Sequence, residues 1–464
     1  MDKIPVHIAI VGHIDHGKTK LSETLTELVS TAGLDKHPQS KEKGITIDIG
    51  FSFFNLNEYQ VTLVDAPGHA DLIRSVVAAS SIADGAILVI DANEGPKVQT
   101  GEHVLILESF NIHNIVIALN KIDLINNSEK LNGMVQKIKN LLKNTSLKDA
   151  PIVPISAKTK EGIDKLKTSL YKVLKKPVRE TDGAFKMPID HHFPIKGIGT
   201  VFTGTVHRGK MRIGQEVEIM PIKIKGKIKS IQIMKENKSE VEAGYRVGIA
   251  ISGIDPNKIS RGYYLCSPNS LKAVKYVIIK CKINDLYPKS LKPQMSLHLT
   301  IGMPTVSGLF FPFIIKNDKK ILLEEVKNNE EFFAYIKLNE IIAVEKNDPV
   351  LISRLDLPPT SLRIVASGKV AEILTDPIEE LYRLNLKVGT IKDLYHRDGV
   401  IVQGLAQSKI GADKFKNKIV RTSSNIEGTI INSFGTKGLV IARFYRLPKE
   451  SEEIFLEKIK RYKI

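Results

Sequence analysis

Residues 12–19 constrain this chain more than any other segment. Their letters, GHIDHGKT, fit the pattern G-x-x-x-x-G-K-[ST], in which backbone N–H groups surround phosphate oxygens. Gly12 and Gly17 keep a Cβ away from the place where the phosphates approach. Lys18 in such a loop reaches the β- and γ-phosphates, and the Thr19 hydroxyl binds Mg²⁺. The segment therefore predicts a nucleoside triphosphate site.

The residues around this loop favour the same conclusion. Residues 6–11 before it are rich in β-branched side chains and predict a strand. Leu21, Leu25, Leu28 and Val29 after it recur at helical spacing, and Gly33 ends the run. A strand, a glycine loop and a helix are the arrangement that places an anion at a helix N-terminus.

Composition limits the class of protein. A chain of 464 residues suggests three or four domains, and no apolar run is long enough to span a bilayer. The N-terminus lacks the features of a signal peptide, and Cys266 and Cys281 form no CxxC pair, so we expect a reduced, cytoplasmic protein with no zinc site.

The charge of the chain indicates a polyanionic partner. The formal net charge is +17, although a lysine-rich bias towards solubility is an alternative explanation. The last 80 residues contain 16 Lys and Arg against 8 Asp and Glu, so this end is the first candidate for nucleic-acid contact.

The pattern of elements predicts a multidomain protein. Strand-like runs at 61–64, 86–90, 115–119 and 152–155 alternate with helical stretches, which indicates an α/β domain with a mostly parallel, doubly wound sheet. Short strands and glycine turns then predict two β-barrels and a further small, basic, β-rich domain. The predicted domains are residues 1–178, 179–270, 271–384 and 385–464.

Polar signatures follow the predicted strands of the α/β domain, where ligands of open sheets bind. After residues 61–64, Asp65 can hold Mg²⁺ through a water molecule and Gly68 can donate its N–H to a γ-phosphate. After residues 115–119 comes Asn120-Lys121-Ile122-Asp123, whose last carboxylate can accept the N1–H and N2–H of guanine. After residues 152–155, the backbone of Ser156-Ala157-Lys158 can donate to the guanine O6.

The segments GHIDHGKT, KGITID, DAPGH, NKID and SAK together resemble the translational GTPases of the elongation factor Tu superfamily. This resemblance implies GTP or GDP with Mg²⁺ as ligands. Thr46 resembles the switch threonine that binds Mg²⁺ and the γ-phosphate, and His69 the residue that orients the attacking water. It also implies that Ile14 and Ile45 screen His69. The remaining implied nucleotide contacts are His13, Asp15 and His16. Asp15 can hold a monovalent cation, and the alternative role of both histidines is to shape the loop.

Three features narrow the resemblance to the selenocysteine-specific elongation factors. Thr19 and Thr46 are only 27 positions apart, residues 44–51 read GITIDIGF, and residues 190–201 resemble the start of that family's second domain. The resemblance implies binding of selenocysteinyl-tRNA, delivery to the ribosome at recoded UGA codons and GTP hydrolysis on correct decoding.

The same resemblance implies an aminoacyl pocket of Asp190, His191 and Arg246. Selenocysteine is a largely ionised selenolate at neutral pH, so cationic side chains would select it over serine. Two alternatives stay open at this point: Arg246 as a surface ion-pair partner, and Asp190 with His191 as the start of a strand.

The C-terminal segment is too short for the winged-helix array of bacterial members and resembles the archaeal and eukaryotic type. An mRNA hairpin would then be bound directly or through a helper protein, and a monomer is the family expectation. Basic residues that can contact phosphates are Lys409, Lys414, Lys416, Lys418 and Arg421; a solvated basic face is the alternative.

Other proteins share the G domain. An initiation factor 2 gamma-like initiator-tRNA carrier usually has a cysteine-rich zinc insertion, which this chain lacks. The GTPase subunit of sulfate adenylyltransferase has no need of a basic C-terminal segment. A generic aminoacyl-tRNA carrier is a third alternative.

Overall fold

The computed structural model describes residues 3–29, 50–65, 73–327, 330–358, 360–378 and 380–464. The chain divides into two compact units. The first consists of Met1–Phe311 and Glu325–Pro377, and the second of Pro312–Glu324 and Ile378–Ile464. The predicted switch and catalytic residues Thr46, Ile45, Gly68 and His69 lie outside the described residues.

The first unit begins with an α/β sheet, as the alternating pattern predicts. Its strands run in the order β2-β3-β4-β1-β5-β6-β7, and the five strands from β4 to β7 in this order are parallel. Strands β2 and β3 pair antiparallel at one edge. The strands are β1 (Ile4–Gly12), β2 (Leu28–Val29), β3 (Gly50–Leu56), β4 (Tyr59–Asp65), β5 (Gly85–Asp91), β6 (Ile115–Asn120) and β7 (Ile152–Pro154).

Helices connect the parallel strands and bury both faces of the sheet. Every residue of β5 and β6 is buried, because both strands lie between two layers of apolar side chains. The register places Asp65 level with Ile10 and Asp91 level with Asn120, so the polar strand ends meet at one edge. The helices are α1 (Lys18–Leu25), α2 (Ile73–Ser80), α3 (Val98–Ser109), α4 (Ser128–Leu142) and α5 (Ile163–Val173).

One helix is shorter than the sequence predicts. Leu28 and Val29 do not continue α1 but form β2, opposite Phe53 and Ser52. Thr26 is already extended, and the Glu27 N–H donates to the Phe53 carbonyl at 2.9 Å. Backbone pairing with an edge strand therefore overrides the helical spacing of the leucines, which is a tertiary effect that local periodicity does not contain.

The next region of the first unit is all-β, as predicted. Eight of its strands form a sheet around one apolar core: seven follow the order β8-β17-β12-β13-β16-β10-β9, and β14 pairs with β13. The strands are β8 (Lys186–Pro188), β9 (His191–Ile195), β10 (Gly199–Thr205), β11 (Lys210–Arg212), β12 (Glu216–Met220), β13 (Ile224–Ile233), β14 (Glu236–Lys238), β15 (Glu240–Glu242), β16 (Arg246–Ile251) and β17 (Tyr264–Cys266).

A second all-β region follows in the chain. Its strand β18 pairs antiparallel with both β22 and β24. The strands are β18 (Lys272–Ile283), β19 (Met295–Ile301), β20 (Thr305–Lys316), β22 (Glu331–Val344), β23 (Pro349–Ser353) and β24 (Ile364–Leu374).

The second unit contains a closed ring of six strands in the order β25-β26-β29-β28-β27-β30, since β30 also pairs with β25. The predicted boundary between residues 384 and 385 falls inside β25, because pairing with β30 starts at Leu381. Its elements are β21 (Lys319–Leu322), β25 (Leu381–Asp393), β26 (Val400–Gln403), α6 (Lys409–Asp413), β27 (Ile419–Thr422), β28 (Glu427–Phe434), β29 (Leu439–Phe444) and β30 (Glu453–Tyr462).

Among the helices of the described residues, none is long and apolar enough to cross a membrane.

Candidate functional site

The phosphate loop joins β1 to α1 in the conformation that its glycines allow. Gly12 has a φ of 152° and Gly17 a φ of 89°. A Cβ at Gly12 would collide with the Val89 carbonyl oxygen, and one at Gly17 with the Asn120 amide. Helix α1 begins at Lys18, directly after this turn, so its first N–H groups are directed at the loop.

Lys18 lies inside the loop, with a side chain that is almost fully buried. Its Nζ donates to the His13 carbonyl at 2.8 Å. Burial lowers the pKa of Lys18 to about 8, although the charges of Asp65 and Asp15 oppose the shift. An ammonium group held in a dry loop interacts strongly with an anion, so the geometry fits the predicted phosphate contact.

The residues predicted to hold Mg²⁺ fit a hard cation that prefers oxygen ligands. Asp65 is 1% exposed at the end of β4, and its charge acts on Lys18. Thr19 is in the first turn of α1. These two residues would hold the ion, which when bound neutralises phosphate charge. Asp15 is exposed, with a φ of 61°.

The two loop histidines make hydrogen bonds to other parts of the protein. His16 is fully buried, and its Nδ1 lies 3.3 Å from the Val89 carbonyl oxygen. The Nδ1 of His13 is hydrogen-bonded to the Gln99 amide oxygen. Both contacts are compatible with loop shaping, the alternative role of these side chains. Ile14 between them is half-buried.

Asn120 connects the phosphate loop to the predicted guanine site. Its Nδ2 donates to the His16 carbonyl at 2.9 Å, and its Oδ1 accepts from the Ala157 N–H at 2.9 Å. Both polar groups of the side chain are therefore used within the protein. Lys121 has a φ of 66° and pairs with Asp91 at 2.7 Å.

The remaining residues of the predicted guanine site lie around this connection. Asp123 is exposed in the short 3-10 helix Ile122–Leu124. Ser156 is fully buried, and its Oγ accepts from the Thr159 N–H at 3.1 Å, which holds the turn after β7. Lys158 is exposed. The turn of residues 156–158 and the 3-10 helix therefore both lie at the edge of the sheet where the parallel strands end.

The residues of the predicted aminoacyl pocket lie together in the first all-β region, where Asp190 and Arg246 are buried and His191 is half-buried. The Arg246 guanidinium makes a bidentate ion pair with Asp190, with the longer hydrogen bond at 3.1 Å. The Nδ1 of His191 lies 3.0 Å from the same carboxylate. Burial alone would raise the pKa of Asp190, but Arg246 and the hydrogen bonds hold that pKa well below its usual range. Arg246 is 8% exposed and is thus not a surface ion-pair partner.

Two residues of this cluster were not predicted from the sequence. The Thr203 hydroxyl donates to Asp190 at 2.7 Å from the neighbouring strand β10. The ring of Phe51, in the α/β sheet, stacks on Arg246 with the guanidinium carbon 3.2 Å from its centroid. Phe51 ends the GITIDIGF segment that carried the resemblance, but the segment itself does not indicate this contact.

Matches to known protein families cover the α/β region and the two all-β regions one after the other. Family models match in three places: the elongation factor Tu GTP binding domain at residues 3–176, elongation factor Tu domain 2 at 199–266, and domain III of the archaeal selenocysteine-specific elongation factor at 271–374. The selenocysteine-specific elongation factor of Methanocaldococcus jannaschii is 43% identical over 100% of this chain and 99% of its own length.

The chain belongs to the selenocysteine-specific elongation factors.

Other members agree with this assignment. The selenocysteine-specific elongation factor of Mus musculus is 30% identical to this chain, and the match covers 94% of this chain and 87% of the mouse protein. The crystal structure of SelB from Methanococcus maripaludis with the GTP analogue GppNHp superposes with a TM-score of 0.86 at 41% identity and covers both chains fully. The crystal structure of a bacterial selenocysteine-specific elongation factor superposes with a TM-score of 0.67 at 26% identity, and the match covers 79% of this chain and 58% of the bacterial chain.

Membership confirms the predicted family and fold class, and it makes the chain a GTPase of the elongation factor Tu type, which binds GTP or GDP with Mg²⁺. The comparisons do not favour the initiation factor 2 gamma or sulfate adenylyltransferase alternatives.

Proposed function

We propose that this selenocysteine-specific elongation factor binds selenocysteinyl-tRNA with GTP and delivers it to the ribosome at recoded UGA codons. GTP hydrolysis follows correct decoding. The observation that carries this proposal is the cluster of Asp190, His191 and Arg246, because it brings charged side chains together in a chain whose full-length relatives are named for selenocysteine.

The charge balance of the cluster assigns a separate role to each residue. Asp190 and Arg246 neutralise each other, so a selenolate placed beside them would leave one uncompensated negative charge. The ionised Asp190 can only accept a hydrogen bond, so the Nδ1 of His191 carries a proton. A second proton on Nε2 would supply the missing positive charge. Arg246 then orients the site, and His191 responds to the ionised selenium.

Serine offers no such charge. A seryl group would not form the charge-assisted hydrogen bonds that a selenolate accepts, which are each worth about 1.5–3 kcal/mol. The pocket would therefore discriminate by charge rather than by size, since oxygen is smaller than selenium and sterics alone would admit serine.

A direct test compares selenocysteinyl-tRNA with seryl-tRNA on the same tRNA body, under reducing conditions and with GTP. Wild type should prefer selenocysteine, and His191→Gln should reduce that preference about 10- to 100-fold. His192→Gln is the matched control, because His192 is the next residue of β9 and stacks on Phe202 with ring centroids 6.4 Å apart. Equal affinities of wild type for the two aminoacyl-tRNAs would refute the pocket.

The nucleotide site is proposed residue by residue. Lys18 and the backbone of residues 12–19 bind the phosphates, Thr19, Thr46 and Asp65 hold Mg²⁺, and His69 orients the attacking water. Neutralisation of charge and in-line positioning are what phosphoryl transfer requires, and Ile14 with Ile45 would delay it until decoding. The guanine contacts are Asn120, Lys121, Asp123, Ser156, Ala157 and Lys158, of which Asn120 acts by fixing the loop.

The finer expectations complete the proposal. Asp15 would hold a monovalent cation near the phosphates, and the protein would act as a cytoplasmic monomer. The second unit would contact RNA, either tRNA or an mRNA hairpin bound directly or through a helper protein. Lys409, Lys414, Lys416 and Lys418 are exposed there, which supports phosphate contact, whereas Arg421 shares its charge with Glu427 at 2.6 Å.

A further inference from the structure

Strand β13 (Ile224–Ile233) and the turn before it carry a lysine at every second position. These residues, which we call the β13 lysine row, are Lys223, Lys225, Lys227 and Lys229, and all four are exposed. Alternate residues of a strand lie on one face, so the row extends over about 20 Å of one surface of the sheet. Lysine is less common in strands than β-branched residues are, so an unbroken row of this kind calls for an explanation.

The charges of the β13 lysine row are mostly uncompensated. Among the described residues, only Lys225 of the row has an ion-pair partner, Glu216 of β12 at 3.2 Å, and water screens this pair because both side chains are about half exposed. Glu218, which lies opposite Lys225, is buried and accepts the Asn269 N–H at 2.8 Å. Because β13 lies between β12 and β16 in the sheet, the row does not protect the outer edge of that sheet, which is a common role of lysine in strands.

The β13 lysine row lies on the sheet face that carries Arg246. In β16 every second residue from Val247 belongs to the apolar core, so Arg246, Gly248 and Ala250 lie on the other face of the strand. Ser230, which directly follows the row in the chain, lies opposite Ala250. Four residues of β16 and one step between strands therefore separate Arg246 from the row, a distance of about 15 Å along the sheet.

A row of exposed lysines fits the phosphates of a nucleic acid. Ammonium groups bind phosphates as point charges and release condensed counterions, and they do so without reading the base sequence. An amino acid is esterified to the 3′-terminal nucleotide of its tRNA, so an aminoacyl group beside Arg246 would bring the acceptor arm of that tRNA within reach of the row. The acceptor arm is therefore the polyanion that the proposed function brings to this face of the sheet.

We propose that the β13 lysine row binds phosphates of the acceptor arm of selenocysteinyl-tRNA. This inference rests on the proposed function, since its starting point is the aminoacyl site at Arg246. The row supplies affinity that does not depend on the amino acid, whereas the cluster around Arg246 supplies the preference for selenocysteine. The two contributions can therefore be measured separately.

The test compares selenocysteinyl-tRNA and seryl-tRNA, on the same tRNA body, for binding to the full-length chain with GTP. Combined Lys223→Gln, Lys227→Gln and Lys229→Gln should reduce the slope of log affinity against log salt by about 2, since each lost phosphate contact removes a little less than 1. Both aminoacyl-tRNAs should then bind about a hundredfold more weakly at about 0.1 M salt, and the ratio of their affinities should not change.

Two further measurements make the result specific to the row and to the acceptor arm. The matched control replaces three equally exposed lysines of α4 and its C-terminus by Gln and should leave the slope unchanged; they are Lys137, Lys139 and Lys143. An RNA that contains only the acceptor stem and the unpaired 3′ end should show the same loss of slope as the whole tRNA.

A third measurement needs no substitution. In the wild-type complex with GTP, selenocysteinyl-tRNA should protect the β13 lysine row from chemical acetylation, while the three control lysines react as they do without tRNA. The absence of this protection would overturn the inference.

The other outcomes of the test are equally distinct. Equal salt slopes of wild type and of the Lys223, Lys227 and Lys229 variant would also overturn the inference. So would unchanged tRNA affinity with a loss of ribosome-stimulated GTP hydrolysis, because the row would then contact ribosomal RNA. Failure of the proposed function itself gives a different result, namely equal affinities of wild type for selenocysteinyl-tRNA and seryl-tRNA.

Discussion

Asp123 is the carboxylate that we propose to select guanine. It lies in the 3-10 helix after β6 and is exposed, so it is available to a ligand. Guanine offers it two N–H donors side by side, and adenine does not. The NKID segment predicted its place after β6, and its contact with the base is part of the proposed nucleotide site.

Replacement of this carboxylate should reverse the base preference. Asp123→Asn should weaken GTP binding about a hundredfold, because charge-assisted hydrogen bonds are lost, and should admit xanthosine triphosphate, whose C2 carbonyl can accept from the new amide. Competition binding with both nucleotides measures the change. Asp164→Asn, an acidic residue in the first turn of α5, provides the control. Unaltered preference for guanine in Asp123→Asn would remove Asp123 from the base site.

Asn120 illustrates what sequence reasoning misses in a single residue. The motif predicted that it belongs to the nucleotide site, and the structure uses its amide to join residue 16 to residue 157. A motif indicates which residues assemble, but the partner of a bidentate amide depends on backbone groups more than 30 positions away. Phe51 is a second example, since its contact with Arg246 comes from another domain.

The segment 409–421 of the second unit contains the basic cluster that the sequence predicted as an RNA contact. Helix α6 is capped by Ser408, whose hydroxyl accepts from the Gly411 N–H at 3.2 Å, and Ala412 and Phe415 anchor the segment in the core. The lysines between and after these anchors are therefore held outwards. Repulsion among them is tolerated more easily if phosphates are nearby.

Neutralising these lysines should change the salt dependence of RNA binding. Combined Lys414→Gln, Lys416→Gln and Lys418→Gln should reduce the slope of log affinity against log salt by about 2 for a selenocysteine tRNA transcript, since each lost phosphate contact removes a little less than 1. The matched control replaces Lys137, Lys139 and Lys143 of α4 and its C-terminus, which are equally exposed. If both triple variants have the same slope, this segment is only a solvated face.

Besides His16 in the phosphate loop, three histidines of the first unit have a pKa that burial lowers. Burial lowers the pKa of His7 to about 4 and those of His103 and His207 to about 3. His7 joins two domains, because its Nε2 donates to the Gly244 carbonyl at 2.8 Å. The charged or titratable groups around the three are His13, His16, Lys18, Asp84, Arg179, Lys186, Arg246 and Arg363.

These histidines should make the first unit sensitive to acid. In the unfolded chain each binds a proton below pH 6.5, whereas in the folded chain it does so only near pH 3–4. The stabilisation is therefore complete above pH 6.5 and is lost as the pH falls towards 4, by about 2 kcal/mol per histidine at pH 5. Urea unfolding at pH 7 and pH 5 measures the loss.

A substitution connects this loss to individual residues. His7→Gln keeps a donor for Gly244 but cannot take up a proton, so the difference between pH 7 and pH 5 should shrink by about 2 kcal/mol. An identical difference in wild type and in the variant would show that other groups cause the acid sensitivity.

The sequence by itself determined those parts of this protein that depend only on residues close together in the chain. The phosphate loop, the parallel strands, the order of polar strand ends and the excess of positive charge are all local patterns, because glycine, β-branched side chains and charge act where they stand. The family followed from the same patterns.

Tertiary structure alone decided the rest. It ended α1 at Leu25, since an edge strand offered better hydrogen bonds to Leu28 and Val29. It paired Arg246 with Asp190 and Glu102 with Arg363, across 56 and 261 positions of the chain. Such pairs form because buried charges require partners, and the fold, rather than the local sequence, determines which partner is near.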